Sequence, residues 1–231
     1  MRLYNKVSLL ILISAIVMSC SGQLKILLSA ALTNNVYAEF RQKQYLETFN
    51  VLTNFGYKDF YIVEALQKHG PTYLENYCNH VFYATVNNPH LKNNGINEAR
   101  TILEATYHFN FAPDDMILKC TGRYHFGSDY FLKMIENNSD YDAILRIHAP
   151  SGQVYVVCFA MKCKHLQDMY EHLDYHAMEH HWVILEKAVG DYVLQKERQG
   201  KFKVLYVPQL DITGSTYGST TAPGSNEVIH Y

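Results

Sequence analysis

Short apolar runs alternate with longer amphipathic stretches along this chain, and that alternation constrains its fold more than any other feature. Residues 25–32 (KILLSAAL), 60–66 (FYIVEAL), 81–86 (VFYATV) and 116–120 (MILKC) have the length and apolar character of buried strands. Between the first two, residues 39–55 place Phe40, Tyr45, Phe49 and Leu52 at helical spacing, and Gly56 supplies a stop. Asn87-Asn88-Pro89 ends the third run. Residues 93–98 then open a helix with Ile96, Ala99, Ile102, Leu103 and Ala105 on one side. A helix is expected over 130–136. Runs 141–146 and 154–161 flank Pro150-Ser151-Gly152 and suit a hairpin. Residues 165–198 are helical with a break near Asp174, and 203–207 is a last strand. This order specifies an α/β fold: a mainly parallel, Rossmann-like sheet with helices on both faces. No stretch has the composition of an interdomain linker, so residues 24–214 form one domain. Residues 215–231 are rich in Gly, Ser and Thr and are expected to be a flexible tail.

Residues 1–23 are of a different kind. Arg2 and Lys6 precede a dozen apolar residues, and Ser19-Cys20-Ser21-Gly22 follows. That is the build of a signal peptide or a membrane anchor, although the run is short for crossing a bilayer. Val17-Met18-Ser19-Cys20 also resembles a lipoprotein box, with Cys20 as the lipidated residue. The expectation is an exported or membrane-associated protein. An anchor that leaves the domain facing the cytoplasm is compatible with the same residues.

A formal net charge of −2 gives no footprint for a polyanion, and no basic stripe is present, so nucleic acid is not an expected partner. Cys78, Cys120, Cys158 and Cys163 are widely spaced and contain no CxxC pair, which excludes a zinc ribbon and makes buried thiols the expectation. The 19 Tyr and 11 Phe suit a surface that stacks on sugars or bases, and suit an ordinary Tyr-rich core equally.

Open α/β sheets bind ligands beyond the carboxyl ends of their strands. The most informative strand end is Lys119-Cys120-Thr121-Gly122-Arg123-Tyr124. A lysine in a buried strand needs a partner or an exit, arginine offers a planar fork to phosphate, and glycine lets a backbone come close to a ligand. A salt bridge from Arg123 to Asp129 is the structural alternative.

The run ILKCTGRYHF resembles the K-x-TGRY segment of a group of bacterial and viral glycosyltransferase-like proteins with a GT-A-type fold. Asn94-Gly95-Ile96-Asn97-Glu98-Ala99 resembles the helix start after that group's third strand, Phe159-Ala160-Met161-Lys162 its later strand, and the helix with Met178-Glu179 and Leu185-Glu186 its acidic helix. The resemblance implies a glycosyltransferase with a nucleotide-sugar donor and a glycan or lipid-linked acceptor. Its donor-binding residues would be Lys119, Thr121, Gly122, Arg123 and Tyr124, with Asn94, Gly95, Asn97 and Glu98 at the neighbouring helix start. Candidate bases are Glu179, Glu186 and Asp142.

GT-A enzymes place an acidic DxD after the equivalent strand to hold a divalent metal. Here none stands there, and Asp114-Asp115 precedes the strand. Transfer without a required cofactor is therefore expected, Lys119 and Arg123 meeting the diphosphate charge, with Mn²⁺ or Mg²⁺ as the alternative. A non-catalytic sugar- or nucleotide-binding module, exported as a lipoprotein or secreted protein, is the second functional class. A third is a metal-dependent hydrolase, because His176-Ala177-Met178-Glu179-His180 is an H-x-x-E-H string in which His176, Glu179 and His180 would share a metal.

Overall fold

The computed structural model describes residues 22–32, 38–215 and 228–230. The 1–23 segment up to residue 21, Cys20 included, lies outside them. Among the described residues no helix is long and apolar enough to cross a membrane.

The elements follow in the order β1 (Leu24–Ala30), α1 (Ala38–Asn54), β2 (Phe60–Glu64), β3 (Val81–Tyr83), α2 (Asn94–His108), β4 (Met116–Thr121), β5 (His125–Phe126) and α3 (Tyr130–Glu136). Then come β6 (Ala143–Leu145), β7 (Ile147–His148), β8 (Gln153–Val154), β9 (Cys158–Lys162), α4 (Cys163–His172), α5 (Tyr175–His180), α6 (Leu185–Arg198), β10 (Val204–Tyr206), β11 (Ile212–Ser215) and β12 (Val228–His230). Seven strands form one sheet in the order β10-β6-β9-β4-β1-β2-β3. Within it β9 is antiparallel to β4 and β6, and every other pair is parallel. The expected α/β sheet is therefore present, and it is mainly parallel.

Alternation along the strands sends side chains into two cores. Leu27, Val63, Ile117, Phe159 and Met161 pack under α2, α4, α5 and α6. Ile26, Leu28, Ile62, Leu118 and Ala160 pack under α1 and α3. Strands buried on both faces read as continuous apolar runs, which is why they were visible in the sequence. Cys78, Cys120, Cys158 and Cys163 are buried free thiols, as expected.

Three expectations need correction. The run 154–161 is two strands, since β8 pairs with β7 and only β9 joins the main sheet beside β6. The helical stretch breaks twice. Asp174 caps α5 by accepting from Ala177 N at 2.8 Å, and a second break falls at 181–184, where Trp182 has φ 55°. The segment from 215 onward is not wholly a tail. Val228–His230 returns as β12 against β11, and β11 pairs with β5, so β-forming residues after the Gly/Ser/Thr-rich stretch close a small three-stranded sheet.

Candidate functional site at the carboxyl edge of the sheet

The parallel strands β1, β2, β3, β4 and β6 all end on one edge. Helix α2 starts there, after β3. Because β9 runs the opposite way, α4 climbs back to this edge and α6 descends from it, so the α5 segment also lies there. Contacts confirm the placement. Asn93 Nδ2 donates to Met178 O at 2.8 Å and to Val183 O at 2.9 Å.

Lys119 is fully buried, with 0% of its side chain exposed. Its ammonium donates to Glu98 Oε1, to Val156 O at 2.6 Å and to Thr121 Oγ1 at 3.2 Å. A buried ammonium needs such compensation. Lys119 does not open onto solvent, so it cannot meet a ligand directly as the sequence suggested. It anchors Glu98 and Thr121 instead. Glu186, in the first turn of α6, is half-buried beside this pair. Burial raises its pKa above the usual carboxylate value and the Glu98 charge adds to the rise, while Lys119 opposes both. The fully buried Tyr170 phenol feels Glu98 as well, and its hydroxyl has no hydrogen-bond partner.

The start of α2 is occupied by the protein itself. Asn93 Oδ1 caps Gly95 N at 2.9 Å. Asn97 closes the preceding loop, donating to Asn88 O and accepting from Asn88 N, both at 2.9 Å. A Cβ on Gly95 would stand 2.8 Å from Leu185 Cβ, so Gly95 is where α6 meets α2. Glu179 accepts from Lys92 N at 3.1 Å and Asn93 N at 3.3 Å. The Gly95 amide expected to be free for an anion is thus capped by Asn93, the Asn97 side chain is engaged by Asn88, and Glu179 is a capping carboxylate with its oxygens engaged.

Beyond β4, Gly122 N donates to Ser29 O at 2.9 Å, and a Cβ there would meet Tyr45 at 3.0 Å and Ser29 O at 3.1 Å. The glycine lets Tyr45 and β1 approach, so its small size serves packing. Tyr124 is buried against Gly214 and belongs to the core. Arg123 differs from both. Among the described residues it makes no ion pair with Asp129, and its Nη1 is buried without a hydrogen-bond partner.

The second guanidinium at this edge, Arg41 on α1, was not singled out from the sequence. Its Nη1 donates to Ala31 O at 3.2 Å, and burial and then the Arg123 charge hold its pKa below the ordinary value. Only the return of α1 onto β1 brings residues 41 and 123 together, so no local pattern marked the pair. Below them Glu64 is fully buried and ties the β1 and β2 ends together, accepting from Leu32, Leu66 and Gln67 amides at 2.7–3.1 Å. A cavity of about 360 Å³, lined by Leu32, Arg41, Gln67, Thr72 and Tyr73, opens beside Arg41. A larger cleft of about 570 Å³ lies at the opposite edge, around Tyr57, Lys58 and Asp59, away from the strand ends where such folds bind ligands.

Two other candidates leave the site. Asp142 precedes β6 at the amino edge. Burial would raise its pKa, but the Lys203 N–H and the Lys162 ammonium outweigh it and hold the carboxyl below the usual range. Lys162 at 2.9 Å and His165 at 3.5 Å make it a structural anchor. In the H-x-x-E-H string, His176 and His180 do stack on α5 with ring centroids 4.6 Å apart, but Glu179 is bonded to the α2 start. Among the described residues no group of three or more His, Cys, Asp or Glu could hold a metal ion. The end of β4 offers a hydroxyl, a glycine and a guanidinium, whereas Mg²⁺ and Mn²⁺ take oxygen ligands, carboxylates above all. Those residues do not fit a divalent cation at that strand end.

No family model matches the chain, and no curated protein matches it in sequence. Solved structures match it in fold. A cytidylyltransferase from Leptospira borgpetersenii serovar Hardjo-bovis (strain JB197) superposes with a TM-score of 0.52 at 13% identity, over 82% of this chain and 77% of that one. A 4-diphosphocytidyl-2C-methyl-D-erythritol synthase gives 0.51 at 13% identity, over 87% of this chain and 95% of the other. A glycosyltransferase involved in the glycosylation of the major capsid of PBCV-1 gives 0.48 at 12% identity, over 82% and 85%. The first two share this chain's α/β fold with a mainly parallel sheet.

Proposed function

We propose that the chain is a glycosyltransferase moving a sugar from a nucleotide-sugar donor to a glycan or lipid-linked acceptor. One observation carries this reading. The carboxyl edge of the sheet divides its charge, with two neighbouring guanidiniums, Arg41 and Arg123, beyond β1 and β4, and a half-buried carboxyl group, Glu186, whose pKa burial raises, across β4. In this reading the guanidiniums hold the donor diphosphate. Glu186 takes the proton of the acceptor hydroxyl as its oxygen bonds to the anomeric carbon. The bond from that carbon to the phosphate oxygen breaks, and the charge left on the diphosphate falls on Arg123 and Arg41. Lys119 works indirectly, holding Glu98 in place through their ion pair beside Glu186.

A non-catalytic sugar- or nucleotide-binding module is the second reading. It is favoured by Lys119, whose charge Glu98 already neutralises. Thermal shift with UDP-, GDP- and CMP-sugars, followed by a transfer assay, separates the two. Donor binding that disappears in Arg123→Ala, together with turnover, supports the enzyme. Binding of free glycans with indifference to nucleotides would replace it with the module.

A further inference from the structure

The chain has a single tryptophan, and it sits in the loop joining α5 to α6. Trp182 is 69% exposed, and Ile184 beside it is 45% exposed. Its φ of 55° puts it in the left-handed region, which is unfavourable for a bulky side chain and which glycine would enter freely. The loop is nevertheless held. Asn93 clasps the carbonyls of Met178 and Val183 on either side, His181 N donates to Ala177 O at 2.9 Å, and Leu185 packs on Gly95. The fold therefore fixes a large aromatic ring in water, in a strained backbone, and gains no core packing from it. Strain that its surroundings impose on an exposed residue points to a ligand.

The surroundings say which kind. Trp182 lies at the carboxyl edge, four residues before Glu186, and the clasp places it beside Glu179 at the α2 start. Glu179 is engaged by the α2 start, and the hydrogen-bonding groups that rim the loop are the imidazoles of His176, His180 and His181. An aromatic that docks on an anionic membrane is flanked by a cluster of basic residues, whereas here, among the described residues, Lys187 is paired with Asp191 and Lys92 alone stands exposed beside the loop. An apolar face edged by hydrogen-bonding imidazoles matches a pyranose ring, which has apolar C–H faces and a hydroxyl rim.

We propose that Trp182 is a stacking platform for a pyranose of the acceptor, on the Glu186 side of the site. This rests on the transferase reading given above.

Because the indole is the chain's single tryptophan, its fluorescence reports on this position alone. Titration with methyl pyranosides of glucose, galactose, mannose and N-acetylglucosamine, and with their β-linked disaccharides, is expected to give a saturable blue shift. In transfer assays Trp182→Ala should raise the acceptor KM about tenfold, the loss expected of one stacking contact, with donor KM and kcat nearly unchanged. Trp182→Tyr should restore most of it. Trp182→Gly should melt no lower than wild type and still bind acceptor weakly, which separates binding from folding. Emission unchanged by every sugar, or a wild-type acceptor KM in Trp182→Ala, overturns the proposal. So does emission that shifts with phosphatidylglycerol vesicles and not with sugars. If nucleotide sugars bind while the indole stays silent, the platform fails and the transferase reading survives. If sugars shift the indole but no nucleotide binds, the transferase reading fails and the sugar site stands.

Discussion

The guanidinium of Arg123 carries a buried nitrogen with no hydrogen-bond partner among the described residues, and the neighbouring Arg41 has its pKa lowered by burial and then by the Arg123 charge. An unpaired buried donor costs free energy, and an anion at the Arg123 nitrogen would relieve that cost. Arg123→Ala should keep the fold and lose transfer by about 10²–10³, the usual cost of one donor at a developing oxyanion, and Arg123→Lys should recover only part because a point charge lacks the planar fork. An Arg123→Ala protein that melts early would assign the side chain to structure. Glu186 gives a second test. Its folded pKa is raised by burial and by Glu98, against the pull of Lys119. A base with a raised pKa is protonated earlier as pH falls, so the acid limb of the rate profile should lie above the ordinary carboxylate range. Stability has the opposite sign. Between the ordinary and the raised value the unfolded chain has released this proton and the folded chain still holds it, so stability falls as pH rises through that window. Glu186→Gln should remove the acid limb along with about 10²–10⁴ of the rate, and should flatten stability over the same window. A rate profile unchanged in Glu186→Gln would dismiss it as the base.

At the scale of elements, the site depends on how α2 and α6 dock. Gly95 is where α2 meets the start of α6, and Gly190 is where α6 meets the turn between β7 and β8. A Cβ on Gly190 would stand 1.9 Å from Gly152 O, in the turn between β7 and β8, and backbone cannot yield as a flexible side chain does. Gly190→Ala should therefore destabilise the protein by about 1–3 kcal/mol in chemical denaturation, despite alanine's better helix propensity. Because α6 carries Glu186 at its first turn, any residual activity should fall with a changed pH profile as that helix shifts.

Across the whole molecule, charge and compartment remain to be joined. With no acidic pair after β4, EDTA should leave most transfer intact; loss on chelation with rescue by Mn²⁺ would return attention to the carboxylates. We further propose that residues 1–23 hold the domain at a membrane with its site toward the cytoplasm, the compartment in which nucleotide sugars are made. An epitope at the carboxyl terminus, probed by fractionation and protease protection, should be membrane-bound and protected inside. A soluble periplasmic protein would contradict the transferase.

Sequence periodicity determined the α/β class, because strands covered on both faces must be apolar throughout and surface helices must repeat at 3.6 residues. It also located the strand end at residues 119–124, because glycine and cations in an apolar run are chemically conspicuous. The roles of those residues were decided by tertiary contact. Lys119 and Arg123 have the same charge and stand four residues apart, yet one is buried against Glu98 and the other faces Arg41. Glu179 and Glu186 have similar helical contexts, yet one caps α2 and the other, among the described residues, makes no hydrogen bond or ion pair with another side chain and lies beside Glu98. Whether a charged group is satisfied or available depends on what the fold brings against it from distant segments, and that information is not local in the chain.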